Sequence, residues 1–310
     1  MLKFHLKTLG VNPHNYYIDR EIARSESKKW IFIFECDTFH LNKTKKETMS
    51  IIKLVGKYLD KLNLKNPINE LRFSVTRPDW WVHEKKKENF FSEFVRPNSL
   101  CFDIGASNGS MTQLFRKLGA SVISIEPQPS CLSKLSEIFR NDLYVTIVGK
   151  AVGSQIDQAE MKVAGDGSQI SSLSDRWISL VRESKRFGDK EWSERMSVEL
   201  TTLDELVEKY GVPAFCKIDV EGYEPLVISG LTQPLKTLSL EYTPEYYEGL
   251  ANCIETLSKL GKLKLNFSVH GKYELYWLQW SYPDEFIEKL ANLKEPACSI
   301  GGDVYINFVS

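Results

Sequence analysis

From Arg96-Pro97 onward, short continuous apolar runs alternate with segments in which apolar positions recur every three or four residues. Runs of the first kind suit strands buried on both faces, and segments of the second kind suit helices lying on such a sheet. Their alternation predicts an α/β fold with a doubly wound, mostly parallel sheet. The first pairs are strand 99–104 with helix 108–119, strand 121–125 with helix 130–140, and then strand 143–148. An interruption over 154–196 carries some alternating strand material (Met161, Val163), a polar loop and a helix around 177–184. Alternation then resumes with strand 197–200, helix 202–210, strand 214–220, short helix 225–229, strand 237–241 and helix 245–260. Strands over 263–269 and 304–309 end the chain, with 273–278 a further strand candidate and no evident crossover helix before the last. Gly301-Gly302 would turn the chain into an antiparallel C-terminal hairpin.

Residues 1–95 lack this rhythm and read as a smaller N-terminal accessory region, helical or α/β, ahead of a main domain over 96–310. Ile51, Leu54, Val55, Tyr58, Leu59 and Leu62 lie on one face of a helix over 47–62, and Trp30–Glu35 suits a short strand. The Trp80-Trp81 pair serves either packing or stacking on a sugar. The run Glu84-Lys-Lys-Lys-Glu88 reads as a solvated helix face.

Composition narrows the function classes. With 40 basic and 41 acidic side chains the net charge is −1, so no global field draws in nucleic acid or an anionic membrane. The six cysteines have no short paired spacing, which favours buried reduced thiols over disulfides or zinc. No run is long enough to span a bilayer and the N-terminus has no signal-peptide core, so a cytoplasmic protein is expected. Oligomeric state leaves no trace in the pattern.

The densest chemical signal is Asp103-Ile-Gly105-Ala106-Ser107-Asn108-Gly109-Ser-Met-Thr112, a strand end followed by a small-residue turn and a helix start. Glycines there let backbone approach a ligand, and the helix start offers unpaired N–H groups. The spacing matches neither a dinucleotide fingerprint nor a phosphate loop ending in Gly-Lys-Ser or Gly-Lys-Thr. An acid at the end of the first strand would repel a phosphate, but it suits a ligand carrying an amine. Glu126, at the end of the second strand and about 20 residues on, is placed to bind both hydroxyls of a ribose. Together these features fit S-adenosylmethionine.

Four segments in order strengthen this reading: Asp103 to Thr112, Ile125-Glu126-Pro127, Thr202-Leu203-Asp204 and Lys217-Ile-Asp219-Val220-Glu221-Gly222-Tyr-Glu224. The chain resembles the FkbM-type methyltransferases over about residues 97–245. The resemblance implies a seven-stranded, Rossmann-like class I methyltransferase domain, S-adenosylmethionine as donor, and transfer to a hydroxyl oxygen, often of a sugar or glycosylated metabolite. It also implies donor contacts from Asp103, Gly105, Ala106, Ser107, Gly109, Thr112, Glu126, Pro127 and Asp219, with Ala151, Val152 and Ser171 near the adenine. Ser168 and Ser172 belong to the same flexible loop. The family usually has Asn where this chain has Ser107.

Methyl transfer from a sulfonium is an in-line displacement, so positioning and charge placement dominate. Strand alternation would aim Lys217, Asp219 and Glu221 to one side at the carboxyl edge, where open α/β sheets bind ligands. Asp219 either sits by the sulfonium or accepts the acceptor's proton, and Glu221 either orients the acceptor's hydroxyls or pairs with Lys217. Glu241, ending the next strand, is a further acceptor-side candidate, and His270 is a base candidate that equally suits a capping role. Asp219, Glu221 and Glu241 could also hold a divalent metal, although nothing in their spacing requires one. The expected partner is a small-molecule or glycan acceptor. A non-catalytic cofactor-binding or scaffold module of a glycan-assembly system is the rival reading.

Overall fold

The computed structural model of the protein describes residues 78–293 and 301–309. The helix and strand expected over 47–62 and 30–35 lie outside the described residues, as do the side chains of Trp80 and Trp81. The described residues all belong to one compact unit.

The chain enters through helix α1 (Pro78–Phe91), then follows β1 (Leu100–Ile104), α2 (Ser110–Lys117), β2 (Ser121–Ile125), α3 (Pro129–Phe139) and β3 (Val145–Val148). Three short strands come next, β4 (Ala151–Val152), β5 (Gln158–Val163) and β6 (Glu194–Thr201), with α4 (Asp175–Glu183) between the last two. The second half runs α5 (Leu203–Tyr210), β7 (Phe215–Ile218), α6 (Glu224–Ser229), β8 (Thr237–Tyr242), α7 (Tyr247–Leu260), β9 (Lys262–Val269), α8 (Pro283–Ala291) and β10 (Gly302–Val309).

Seven strands pair in the order β3-β2-β1-β7-β8-β10-β9. Only β10 runs against the rest, inserted between β8 and β9 and antiparallel to both. The central strands read as continuous apolar runs because helices cover both faces, and Phe102, Ile104, Ile218, Leu238 and Leu240 are fully or almost fully buried. The expected doubly wound sheet with its antiparallel C-terminal strands is therefore the fold.

Three sequence expectations change. The last crossover does carry a helix, α8, whose Phe286 and Leu290 pack into the main core. Its start at Pro283 follows a tyrosine, with no side-chain cap to mark the boundary. Residues 273–278 form an irregular, bent segment rather than a strand. Strand β6 does not join the main sheet; it pairs with β4 and β5 in a separate three-stranded sheet that carries the 154–196 interruption.

Local chemistry explains the connections. Thr202 caps α5 by accepting from the Glu205 N–H, and Asp204 accepts from both the N–H and the hydroxyl of Thr232, at 2.9 and 2.7 Å. The Thr202-Leu203-Asp204 motif thus fastens two loops together. Cys101, Cys131, Cys216 and Cys253 are buried free thiols, as the lack of short paired spacing suggests. No helix among the described residues is long and apolar enough to cross a membrane.

Candidate active site at the carboxyl edge of the sheet

The register aligns Cys101 with Phe215 and Asp103 with Lys217, then Lys217 with Ser239, and Glu241 with Asp303. Because side chains alternate, these residues share one face. Along it the surface changes from apolar (Cys101, Phe215, Tyr305) to charged (Asp103, Lys217, Asp303) as the strands approach their carboxyl edge. Ligands bind at this edge in open α/β sheets.

Asp103 is 1% exposed and accepts a 2.6 Å hydrogen bond from the Thr112 hydroxyl. Burial pushes its carboxyl above the usual range, against the pull of Lys217 and of Thr112. Thr112, itself fully buried, acts by orienting Asp103. Beyond β1, the N–H groups of Gly105 and Ala106 both reach the Ile125 carbonyl. A Cβ on Gly105, at φ +81°, would lie 1.9 Å from the Asp219 carbonyl oxygen, so only glycine lets the first turn close against the end of β7. Gly109 is tight on another side, where a Cβ would meet Leu135 of α3 at 2.7 Å.

Glu126 closes the second strand. Its carboxylate accepts from the N–H of Ser107 at 2.9 Å and of Gln128 at 2.8 Å, one on each oxygen, which leaves the group with further acceptor capacity. Burial raises this carboxyl. Pro127 follows, half-buried, and Ser107 holds φ 47° with its hydroxyl buried beside the Cys131 thiol. Gln128 is bonded through its side chain to Ser171 and to the Ser168 carbonyl, which brings the interruption's loop over this end of the turn. Ala151 and Val152, on β4, are both buried.

The motif after β7 does not stay extended. The strand ends at Ile218, and Glu221 takes φ 54°, a left-handed conformation unusual for a residue with a side chain. The Ser172 hydroxyl donates a 2.6 Å hydrogen bond to the Glu221 carbonyl and holds that conformation. Gly222 follows at φ +86° against Trp177 of α4. Lys217 pairs with Asp219 rather than with Glu221. Burial alone would lower the Lys217 ammonium, but the carboxylates of Asp219, Asp303 and Asp103 outweigh it and raise its pKa.

Asp219, Glu221 and Glu241 each place a carboxylate oxygen within 4.8 Å of the others. A hard divalent cation accepts such a donor set. Burial and then mutual repulsion push Glu221 and Glu241 well above the ordinary carboxylate range. Glu241 Oε2 is buried and accepts no hydrogen bond among the described residues. Glu224 lies beneath, 6% exposed, accepting from the Val220 N–H at 3.0 Å, with burial pushing it up to about 7. A small cavity opens beside this cluster, walled by Trp177, Glu224, Glu241, Tyr246 and Cys253. His270 N–H bonds the Gly301 carbonyl, and its ring is felt by Asp303.

Sequence reasoning missed Trp177, Tyr246 and Asp303 as neighbours of the site. It also misplaced Lys87, which is 9% exposed rather than part of a solvated face. Its spacing of three and four residues from the buried Phe90 and Phe91 was the available signal.

An acid and a glycine cradle at one strand end, an acid with free lone pairs at the next, and a closely packed third motif suit a ligand with an amine and vicinal hydroxyls. Residues 103–275, over half of the 310, match the methyltransferase FkbM domain. No curated protein matches the chain significantly. Among solved structures, the chain is similar to precorrin-6y C5,15-methyltransferase of Geobacter metallireducens, at 11% identity and TM-score 0.39, covering 73% of this chain and 88% of that one. It is similar to a TehB-like SAM-dependent methyltransferase of Corynebacterium glutamicum, at 9% identity and TM-score 0.37, covering 79% and 100%. It is also similar to Aeropyrum pernix fibrillarin in complex with S-adenosyl-L-methionine, at 10% identity and TM-score 0.35, covering 69% and 68%.

Proposed function

The chain belongs to the FkbM methyltransferase family, and from that premise we propose that it moves a methyl group from S-adenosylmethionine to a hydroxyl oxygen of a sugar, glycan or glycosylated metabolite. When bound, the donor supplies an electrophilic methyl on a sulfonium. This chain's residues bind the donor, orient the acceptor and take up its proton. Asp103 and the Gly105 to Ser107 turn hold the amino-acid end, Glu126 the ribose, and Ala151, Val152 and Ser171 border the adenine. The unpaired Glu241 Oε2 is the observation that carries the acceptor side. A hydroxyl has one proton to donate, and a buried oxygen with no partner accepts it without displacing an existing bond.

Raised carboxyls support the same role. A base works best with a pKa near the working pH, and burial moves Glu221 and Glu241 in that direction. Lys217 keeps Asp219 in place beside them. In this reading the acceptor approaches Asp219, Glu221 and Glu241 from their partly exposed side, while the fully buried Trp177 backs the cluster from within. Titration calorimetry with S-adenosylhomocysteine tests the donor half, and no binding at about 1 mM would sink it. Incubation with donor and a panel of glycosides, read by mass spectrometry, tests the acceptor half.

A further inference from the structure

Helix α1 lies outside the matched span of 103–275, yet it packs on the sheet face that carries Asp103 and Lys217. Phe91 packs on Phe115 and Phe215, with ring centroids at 5.8 and 6.0 Å, and Phe90 packs on Tyr305 at 5.2 Å. These contacts fix the helix over the apolar part of the charged face. Lys87, one turn earlier, therefore rises to the level of Asp103, Lys217 and Asp303.

The same turn is clamped from the other side. His83 packs edge-on against Tyr273 at 5.0 Å, Lys86 pairs with Glu274 at 2.6 Å, and the Lys87 ammonium lies 5.7 Å from the centre of the Tyr273 ring. Lys85 and Lys86 point to solvent, whereas Lys87 is turned inward. Among the described residues no carboxylate lies within ion-pair distance of it. Burial lowers its pKa, Glu84 on the same helix opposes that, Lys217 adds to it, and Asp103 and Asp303 oppose it. A buried ammonium without a bonded anion, beside a second ammonium already committed to Asp219, is a place for an anionic ligand group.

We propose that Lys87 receives the carboxylate of the methyl donor's amino-acid end. This rests on the donor reading above. An amino acid carries its ammonium and carboxylate on one carbon, so an Asp103 that faces the ammonium requires a cation close by. Lys87 is that cation: it is buried on the sheet face that carries Asp103 and Asp303, whose charges act on it, and Lys217 is already paired. The helix before the family domain is then part of donor recognition.

Calorimetry on the full chain tests this with two ligands, S-adenosylhomocysteine and 5′-methylthioadenosine, which lacks the amino-acid end. In Lys87→Met, S-adenosylhomocysteine should bind about 10–100-fold more weakly, the range for losing a charge-assisted hydrogen bond. Affinity for 5′-methylthioadenosine should not change, and Lys87→Arg should keep most of the affinity for S-adenosylhomocysteine. On the unaltered chain, the decarboxylated donor should bind more weakly than the donor by a similar factor, a readout independent of whether the variant folds. Equal affinity of Lys87→Met and the parent for S-adenosylhomocysteine, or no loss with the decarboxylated donor, overturns the assignment. If the parent binds neither adenosine ligand, the donor reading itself fails, a result distinguishable from a fault in Lys87 alone.

Discussion

The Trp177 side chain lies so close to Gly222 that a Cβ added to the glycine would sit 2.2 Å from the tryptophan's own Cβ. This contact joins the 154–196 interruption to the carboxylate motif after β7. A second tie, from Ser172 to the Glu221 carbonyl, lies beside it. The interruption is therefore a brace for the acidic cluster as well as a cover. Gly222→Ala meets both a steric clash and an unfavourable φ of +86°, and it should cost about 2–4 kcal/mol of stability in urea denaturation. A loss under about 0.5 kcal/mol would mean that the contact is loose.

Ser172→Ala removes the hydrogen bond to the strained Glu221 and the one the hydroxyl accepts from the Ser174 N–H, without opening a large void. Stability should fall by about 1–3 kcal/mol for the two bonds. Turnover should fall further than that figure implies, because Glu221 would no longer be held in its left-handed conformation. The comparison to make is kcat against the urea midpoint in the same variant. A parallel drop in both would assign Ser172 to stability alone.

Glu224 provides a pH test. Its folded pKa of about 7 exceeds the ordinary value of 4.5, so between those two pH values the folded chain retains a proton that the unfolded chain has released. Stability then falls as pH rises through that window, by roughly 3 kcal/mol in total for this one group. Asp103, Glu126, Glu221, Glu241 and Asp303 are also raised and act with the same sign. In Glu224→Gln the slope of stability against pH should flatten by about one proton over this window, measured by urea titrations at several pH values. An unchanged slope would show that Glu224 ionises normally in the folded chain.

The sheet and the gathering of acids at its carboxyl edge were legible in the sequence for one physical reason. Buried strands are apolar until they end, so Asp103, Glu126, Asp219 and Glu241 stand out as acids at the carboxyl ends of such runs. Side-chain alternation placed Lys217 and Asp219 on one side, and Glu221 joins them there through a left-handed residue that breaks the period of two and that no local signal announces. Lys87 was hidden differently. Three lysines in a row look alike in sequence, and only the docking of Phe90 and Phe91 decides which one turns inward. Trp177 was visible as an aromatic in a helix, but its contact with Gly222 spans 45 positions of chain that no periodicity links.

Glu241→Gln keeps the shape of the side chain and removes its capacity to take a proton. Turnover should drop by about 10²–10⁴-fold, the usual range for a lost general base, while the affinity for S-adenosylhomocysteine stays unchanged. Full turnover in this variant would move the proton acceptor to Glu221 or Asp219.

The most direct measurement of the central claim is the position of the transferred methyl group. With a donor labelled with carbon-13 at the methyl, the purified product from a glycoside or glycan acceptor should show the label in an O-methyl resonance coupled to a sugar carbon in the NMR spectrum. Label found on nitrogen, sulfur or carbon, or no labelled product across the panel despite calorimetrically demonstrated donor binding, would contradict the account.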